Sequence, residues 1–182
     1  MKRAVLVNGV PASGKSSCAR RLGRRLGVPV LELDAVKEVL FEEIGHREGD
    51  REWGRTLSRA SLGSIWSLLG GFPRDALVIV EAWFRRPPHD HILRGLEQAG
   101  VDRWVEVWCH AHPDVLVDRY AARRRHPGHP APADYLDELR ELAGVAEPMA
   151  LSPVLEVDTG TARRPDIQRA ARWVEEHLPP AS

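Results

Sequence analysis

The sequence predicts an α/β fold: a three-layer sandwich with a five-stranded, mostly parallel sheet, helices on both faces and a helical lid, in one domain over residues 1–182. Three observations carry this expectation. Short apolar, β-branched runs alternate with longer stretches of helical spacing, the pattern of parallel strands joined by crossover helices. A glycine-rich loop stands between the first such run and the first helical stretch. The length of 182 residues suits one domain able to bury a core without disulfides.

The elements follow in order. Val5–Val7 reads as the first strand and Ser16–Leu26 as the helix after it. Val30–Leu33 is a second strand ending at Asp34, and Ala35–Ile44 has helical spacing through Val36, Val39, Leu40 and Ile44. A longer helix is expected over Arg51–Leu69, with Gly70 and Gly71 as its terminator. Ala76–Val80 is an uninterrupted apolar run suited to a strand buried on both faces. Ile92–Ala99 reads as a helix, Trp104–Trp108 as a strand, and Pro113–Arg125 as a helix rich in arginine. His126–Ala133 holds three prolines and a glycine and reads as a loop. Asp134 can cap a helix running through Leu142. Val154–Val157 closes the sheet and Pro165–Leu178 forms a C-terminal helix.

Gly9 to Ser16 satisfies the pattern GxxxxGK[ST] at every fixed position, and it does so between a strand and a helix. Glycines there let the backbone curl so that successive N–H groups point inward, while the helix adds its positive end. A polyanion is the natural occupant. The loop assigns Gly9, Pro11, Ala12, Ser13, Gly14, Lys15, Ser16 and Ser17 to a nucleotide. Lys15 would reach the β- and γ-phosphates of ATP, and the Ser16 hydroxyl would ligate a Mg²⁺ bridging the same oxygens. The fold is thus expected to be a P-loop NTPase sandwich.

Composition narrows the class. Formal net charge is zero, unlike a protein built to grip nucleic-acid phosphates, so nucleic acid is not an expected partner. The two cysteines, Cys18 and Cys109, lack metal-type spacing and suit a reducing compartment. The apolar start Ala4–Val7 is too short for a signal-peptide core, and no run approaches bilayer length. A cytoplasmic protein without membrane partners is expected, and the sequence carries no signal of oligomeric state. No Asn-Lys-x-Asp element for guanine is present. His110, His112, His126 and His129 lack the accompanying ligands of a zinc site.

The blocks GVPASGKSS, LELDAVKEVLFEEIG, VIVEAWF, DRYAARRRHPGH and EVDTG together resemble the small P-loop kinases, in particular the AAA-type predicted kinases of the zeta-toxin and chloramphenicol-phosphotransferase group. The resemblance spans nearly the whole chain. It implies an ATP-dependent phosphotransferase acting on a hydroxyl of a small molecule such as a metabolite, nucleoside, sugar or antibiotic. It places a catalytic carboxylate at Asp34, where a switch-point crevice opens beside the loop and a base can take the acceptor's proton. The bland role for Asp34 is a helix cap. Lys37 matches a cationic substrate contact, against a solvated helix lysine. Glu81 resembles the acidic residue that holds Mg²⁺ through water or touches substrate. Trp83 and Phe84 follow it as substrate-stacking candidates, with core packing as the alternative, an ambiguity shared by Trp53 and Trp66.

Asp118 to His126 resembles the RxxxR lid motif of adenylate kinases, which implies a lid over about residues 119–140. Arginines four apart share a helix face. By that resemblance Arg119 would stack on adenine and Arg123 would neutralise charge on the transferring phosphoryl group. Arg124 and Arg125 are further candidates, and a basic helix end complementing its dipole is the plain alternative. Asp158 and Thr159 follow the last strand, where such kinases border the adenine; an Asx turn is the alternative. Two other readings stay open: a polynucleotide 5′-end or nucleotide-sugar kinase, and a switch that hydrolyses ATP slowly.

Overall fold

The computed structural model describes residues 1–45, 50–124, 126–160 and 165–180. Its strands are β1 (Arg3–Asn8), β2 (Val30–Glu32), β3 (Leu77–Glu81), β4 (Arg103–His110) and β5 (Val154–Asp158), in the order β2-β3-β1-β4-β5. Every strand pairing in this sheet is parallel. Central β1 aligns Val5 with Ile79 on one side and Val105 on the other. Its residues Ala4–Val7 are wholly buried, as expected of a strand covered on both faces.

The helices are α1 (Lys15–Leu26), α2 (Leu33–Ile44), α3 (Arg51–Gly70), α4 (Asp90–Gln98), α5 (Pro113–Ala121), α6 (Leu136–Val145) and α7 (Ile167–His177). One face of the sheet packs Val5, Val7, Ile79 and Val107 against α1 and α7; the other packs Ala4, Leu6, Val78 and Val80 against α3 and α4. A Cβ on Gly23 of α1 would lie 2.4 Å from Val30, so glycine there lets α1 approach β2. A third cluster joins Val10 and Trp108 to Leu116, Tyr120, Tyr135 and Leu139 of α5 and α6. β1 and β3 are neighbours whose following helices cover opposite faces, so the crevice beyond their carboxyl ends is a topological switch point.

Several long-range ties hold these layers. Lys2, 4% exposed, donates to the carbonyls of Leu69, Gly70 and Ala99 at the ends of α3 and α4, a cation where both helix dipoles are negative. Cys18 and Cys109, distant in sequence, meet in the core as free thiols. Their hydrogen bond holds Cys18 below its ordinary value and Cys109 well above.

Element boundaries correct the expectations in four places. β2 stops at Glu32, so Asp34 lies in the first turn of α2, and the cap position is Glu32. α5 ends at Ala121, capped by Ala122, so Arg123 and Arg124 lie beyond it and do not share its face with Arg119. Asp134 ends a short 3-10 turn, Pro132–Asp134, and Tyr135 precedes α6. α3 runs through Gly70, and Gly71 keeps right-handed backbone at φ −75.

Candidate active site

The loop after β1 curls through three positive φ angles, at Gly9 (152°), Ala12 (66°) and Gly14 (81°). A Cβ at Gly9 would lie 2.4 Å from both the Cys109 carbonyl and the Ser13 hydroxyl, so only glycine closes this turn. Gly14 in the left-handed region hands the chain to α1, whose first residue is Lys15. Pro11 is half-buried and Ser17 exposed. Ser13 is wholly buried, and its Oγ has no hydrogen-bond partner. A buried hydroxyl left without a partner among the described residues, in a glycine-curled loop at a helix start, fits a phosphate oxygen. The residues present therefore suit a polyphosphate.

Register brings Glu81 to this loop: Val7 of β1 aligns with Glu81 of β3, and Glu81 with Glu32 of β2. Ser16 Oγ donates to Glu81 Oε1 at 3.1 Å, and Lys15 Nζ lies 3.5 Å from the same oxygen. Glu81 is 1% exposed. Burial pushes its carboxyl above the ordinary value, with Lys15 pulling the other way. A hydroxyl and a carboxylate side by side are the oxygen donors a Mg²⁺ accepts. Among the described residues no three His, Cys, Asp or Glu gather to hold a metal, so such an ion would draw its other ligands from phosphate and water.

Two polar ties unforeseen from sequence support the loop. Wholly buried Glu106 accepts from Asn8 Nδ2 (2.7 Å) and from the backbone N–H groups of Met149 and Ala150 (3.1 Å each). The Asn8 carbonyl oxygen in turn accepts from Gly9 N and Phe84 N at 2.8 and 3.1 Å. Thr159 Oγ1 sits 2.7 Å from the Ser13 carbonyl and accepts from Arg119 at 3.0 Å. Arg119 also donates to the Thr159 carbonyl. The turn after β5 is thus tied to both the glycine-curled loop and α5. Arg119 and Thr159 were each expected near the nucleotide, though not as partners of one another or of Ser13, and the hint for the other tie was the isolated Glu106 within its apolar run.

Asp34 lines a cleft of about 180 Å³ together with Glu38, Arg123, Arg124, His126 and His129. Arg123 therefore joins Asp34 by way of the loop rather than a helix face. Arg125 lies outside the described residues. His129 Nε2 is 2.9 Å from Glu38, and His126 Nε2 is 3.1 Å from Glu42, one turn further along α2. Gly128 N donates to His126 Nδ1, so the imidazole carries its proton on Nε2 and donates it to Glu42. Arg51 of α3 donates to Glu138 and to the Asp134 carbonyl at 2.8 and 2.9 Å. The segment 126–140 is in this way seated on α2 and α3.

Lys37 is 8% exposed, not a solvated lysine. Trp83 is half-buried under the Arg85 guanidinium, which lies 4.9 Å above its ring. Phe84, 1% exposed, packs in the core with Val80 and Ile92, which corrects its expected place against a substrate. Trp66 is likewise core and Trp53 half-buried. Asp158 is exposed and accepts from Gly160 N at 2.7 Å, forming the plain Asx turn.

No curated protein matches the sequence. Solved structures do. A candidate kinase from Chloroflexus aurantiacus superposes with TM-score 0.83 at 29% identity, over 97% of this chain and 98% of that one. A shikimate kinase from Bacteroides thetaiotaomicron gives 0.58 at 19% identity, over 97% of each chain. A gluconokinase from Sinorhizobium meliloti gives 0.55 at 23% identity, over 93% of this chain and 87% of that one. The fold is that of small P-loop kinases. With the AAA domain model matching residues 5–145, from β1 and the glycine-curled loop through α6, the chain belongs to the AAA domain family.

Proposed function

We propose that this protein is an ATP-dependent kinase that moves the γ-phosphoryl group onto a hydroxyl of a small molecule. The observation that carries the reading is the meeting of Lys15, Ser16 and Glu81 at the switch point, with Asp34 and Arg123 sharing a cleft at the start of α2. A neighbour at 29% identity is described as a kinase candidate, and others are named sugar kinase, shikimate kinase and gluconokinase, which supports a small acceptor.

In this reading the backbone of residues 9–17 and the Ser13 hydroxyl hold the phosphate tail, and Lys15 meets the β- and γ-oxygens. Ser16, backed by Glu81, would hold a Mg²⁺, whose chemistry when bound is neutralisation of phosphate charge. Asp34 orients the acceptor hydroxyl and takes its proton as the new P–O bond forms and the bond to the β-phosphate oxygen breaks, releasing ADP. Arg123 stabilises charge on the equatorial oxygens. Arg119 borders the adenine with Thr159 and Asp158; its hydrogen bonds to Thr159 use its edge and leave its face for stacking. The seated lid keeps water from competing for the phosphoryl group. Two free thiols in the core fit a reducing cytoplasm, and among the described residues no helix is long and apolar enough to cross a membrane.

The test is transfer from γ-labelled ATP into pooled acceptors by wild type and Asp34→Asn. Loss of a general base lowers the chemical step by about 10²–10⁴-fold, while ATP binding persists. Phosphate release that is unchanged in Asp34→Asn, with no labelled product from wild type, would identify a hydrolysing switch instead.

A further inference from the structure

Of the 26 Lys and Arg residues only Lys2, Lys15 and Lys37 are lysines, and all three are buried, at 4%, 7% and 8% exposure. Lys2 meets three helix-terminal carbonyls. Lys15 lies beside Glu81 in the phosphate loop. Lys37 differs from both: its ammonium makes no hydrogen bond and no ion pair within 4.0 Å among the described residues, and its stem is buried while the charged tip still reaches solvent. Burial accordingly holds it below its ordinary value, Asp34 and Glu38 acting on it as opposite charges and Arg85 as a like one.

Arg85 supplies a second, independent observation. It follows β3 by four residues, lies over the face of Trp83 and holds φ at +64°. An L side chain rarely adopts that backbone, and strain of this kind gathers where a side chain must be aimed. Arg85 makes no hydrogen bond through its guanidinium among the described residues. Two arginines of α3, Arg55 and Arg59, act on it as further like charges; with Arg51 they recur every fourth residue and share one helix face. Arg51 alone of the three is neutralised across the gap, by Glu138. β2 pairs with β3 at Glu32 and Glu81, so the start of α2 and the segment 82–85 leave adjacent strand ends. Lys37 and Arg85, faced by Asp34, Glu38, Tyr135 and Glu138 and by the cations Arg55 and Arg59, are thus two cations without a paired acid among the described residues outside the phosphate loop, Lys37 one turn from Asp34.

We propose that the phosphoryl acceptor carries its own anionic group, a carboxylate or a phosphate ester, seated between Lys37 and the Arg85 guanidinium while its hydroxyl faces Asp34. This rests on the kinase reading above. Lysine at position 37 then has its acceptors in the substrate, and charge-assisted hydrogen bonds to an ammonium and a guanidinium select against neutral molecules of equal size.

The experiment measures transfer from γ-labelled ATP into three pools: hydroxylated carboxylic acids such as gluconate, sugar monophosphates such as glucose 6-phosphate, and their neutral counterparts sorbitol and glucose with their homologues. Labelled product from either anionic pool and none from the neutral one is expected, and the productive pool names the group. Lys37→Met and Arg85→Gln should each raise the half-saturating concentration of that acceptor roughly ten- to a hundredfold, more than they lower kcat. The exposed double variant Arg55→Gln/Arg59→Gln should do so by a smaller factor, and unchanged affinity for a fluorescent ATP analogue shows that each variant is folded. Product from the neutral pool alone, or an acceptor response insensitive to Lys37 and Arg85, overturns this inference and leaves the kinase reading intact. No product from any pool, with phosphate release indifferent to Asp34→Asn, overturns both.

Discussion

Replacing Glu106 tests how the phosphate loop is held. Its carboxylate receives Asn8 Nδ2, Met149 N and Ala150 N and is wholly buried. Glu106→Ala strips all three donors of their partner. Hydrogen bonds to a charged group contribute about 1.5–3 kcal/mol each, and a donor left buried keeps its desolvation penalty. Ala150 N is only part-buried and can turn to water, so the two inner donors dominate and the expected loss is about 3–5 kcal/mol. That is a large share of the roughly 5–15 kcal/mol that holds a typical domain together. Glu106→Gln keeps an oxygen for Asn8 and Met149 and turns its amide toward Ala150, for a loss of about 1–2 kcal/mol on the same reasoning. Urea unfolding of both variants reads these losses as midpoint shifts at constant m. Because Asn8 also fixes Gly9 N, Glu106→Ala should weaken ATP binding as well as the fold, whereas Glu106→Gln, which keeps the Asn8 contact, should leave ATP binding nearly unchanged. Equal losses for the two variants, or a loss under about 1 kcal/mol for Glu106→Ala, would refute the account of Glu106 as a three-way acceptor.

Three further outcomes follow from the site. Lys15→Ala should lower kcat by at least about a hundredfold, the scale for removing one charge-stabilising group; steady-state turnover within tenfold of wild type would refute its role. Glu81 carries a carboxyl raised mainly by burial above 4.5, so the folded state holds its proton more tightly than the unfolded state. Its contribution is therefore full below the unfolded value and is lost as pH climbs through the folded one. Glu81→Gln should gain stability over wild type on moving from acid to neutral pH, and a gap that does not change with pH across chemical denaturation curves would count against it. Lys37, lowered by burial from 10.5, has the opposite charge type: the unfolded chain binds the proton more tightly, and stability rises with pH below 10.5. Lys37→Met should then melt above wild type near neutral pH, with the gap closing as pH approaches 10.5; calorimetry showing a lower Tm for the variant would mean that Lys37 stabilises the fold.

What the sequence alone determined was whatever its near neighbours decide. Gly9, Gly14 and the lysine after them announce a curled loop because their backbone freedom and charge act within a few residues. The apolar runs Val5–Val7 and Ala76–Val80 announce buried parallel strands for the same local reason; Asp34 and Glu81 stood out as acids closing such runs, and Lys37 came only from the family resemblance, one turn after Asp34. Tertiary structure decided the partners. Strand register set Glu81 against Ser16, and chain crossing set Thr159 against Ser13, Glu106 against Asn8 and Cys18 against Cys109; none of these pairs is close in sequence. The end of α5 at Ala121 was equally hidden, since Arg123–Arg125 are good helix formers, while the contacts of His126 with Glu42 and of His129 with Glu38 are long-range. Whether a lone lysine is solvated or buried without a partner depends on what packs around it, which residue spacing does not encode, and at Lys37 that packing is what points to an anionic acceptor.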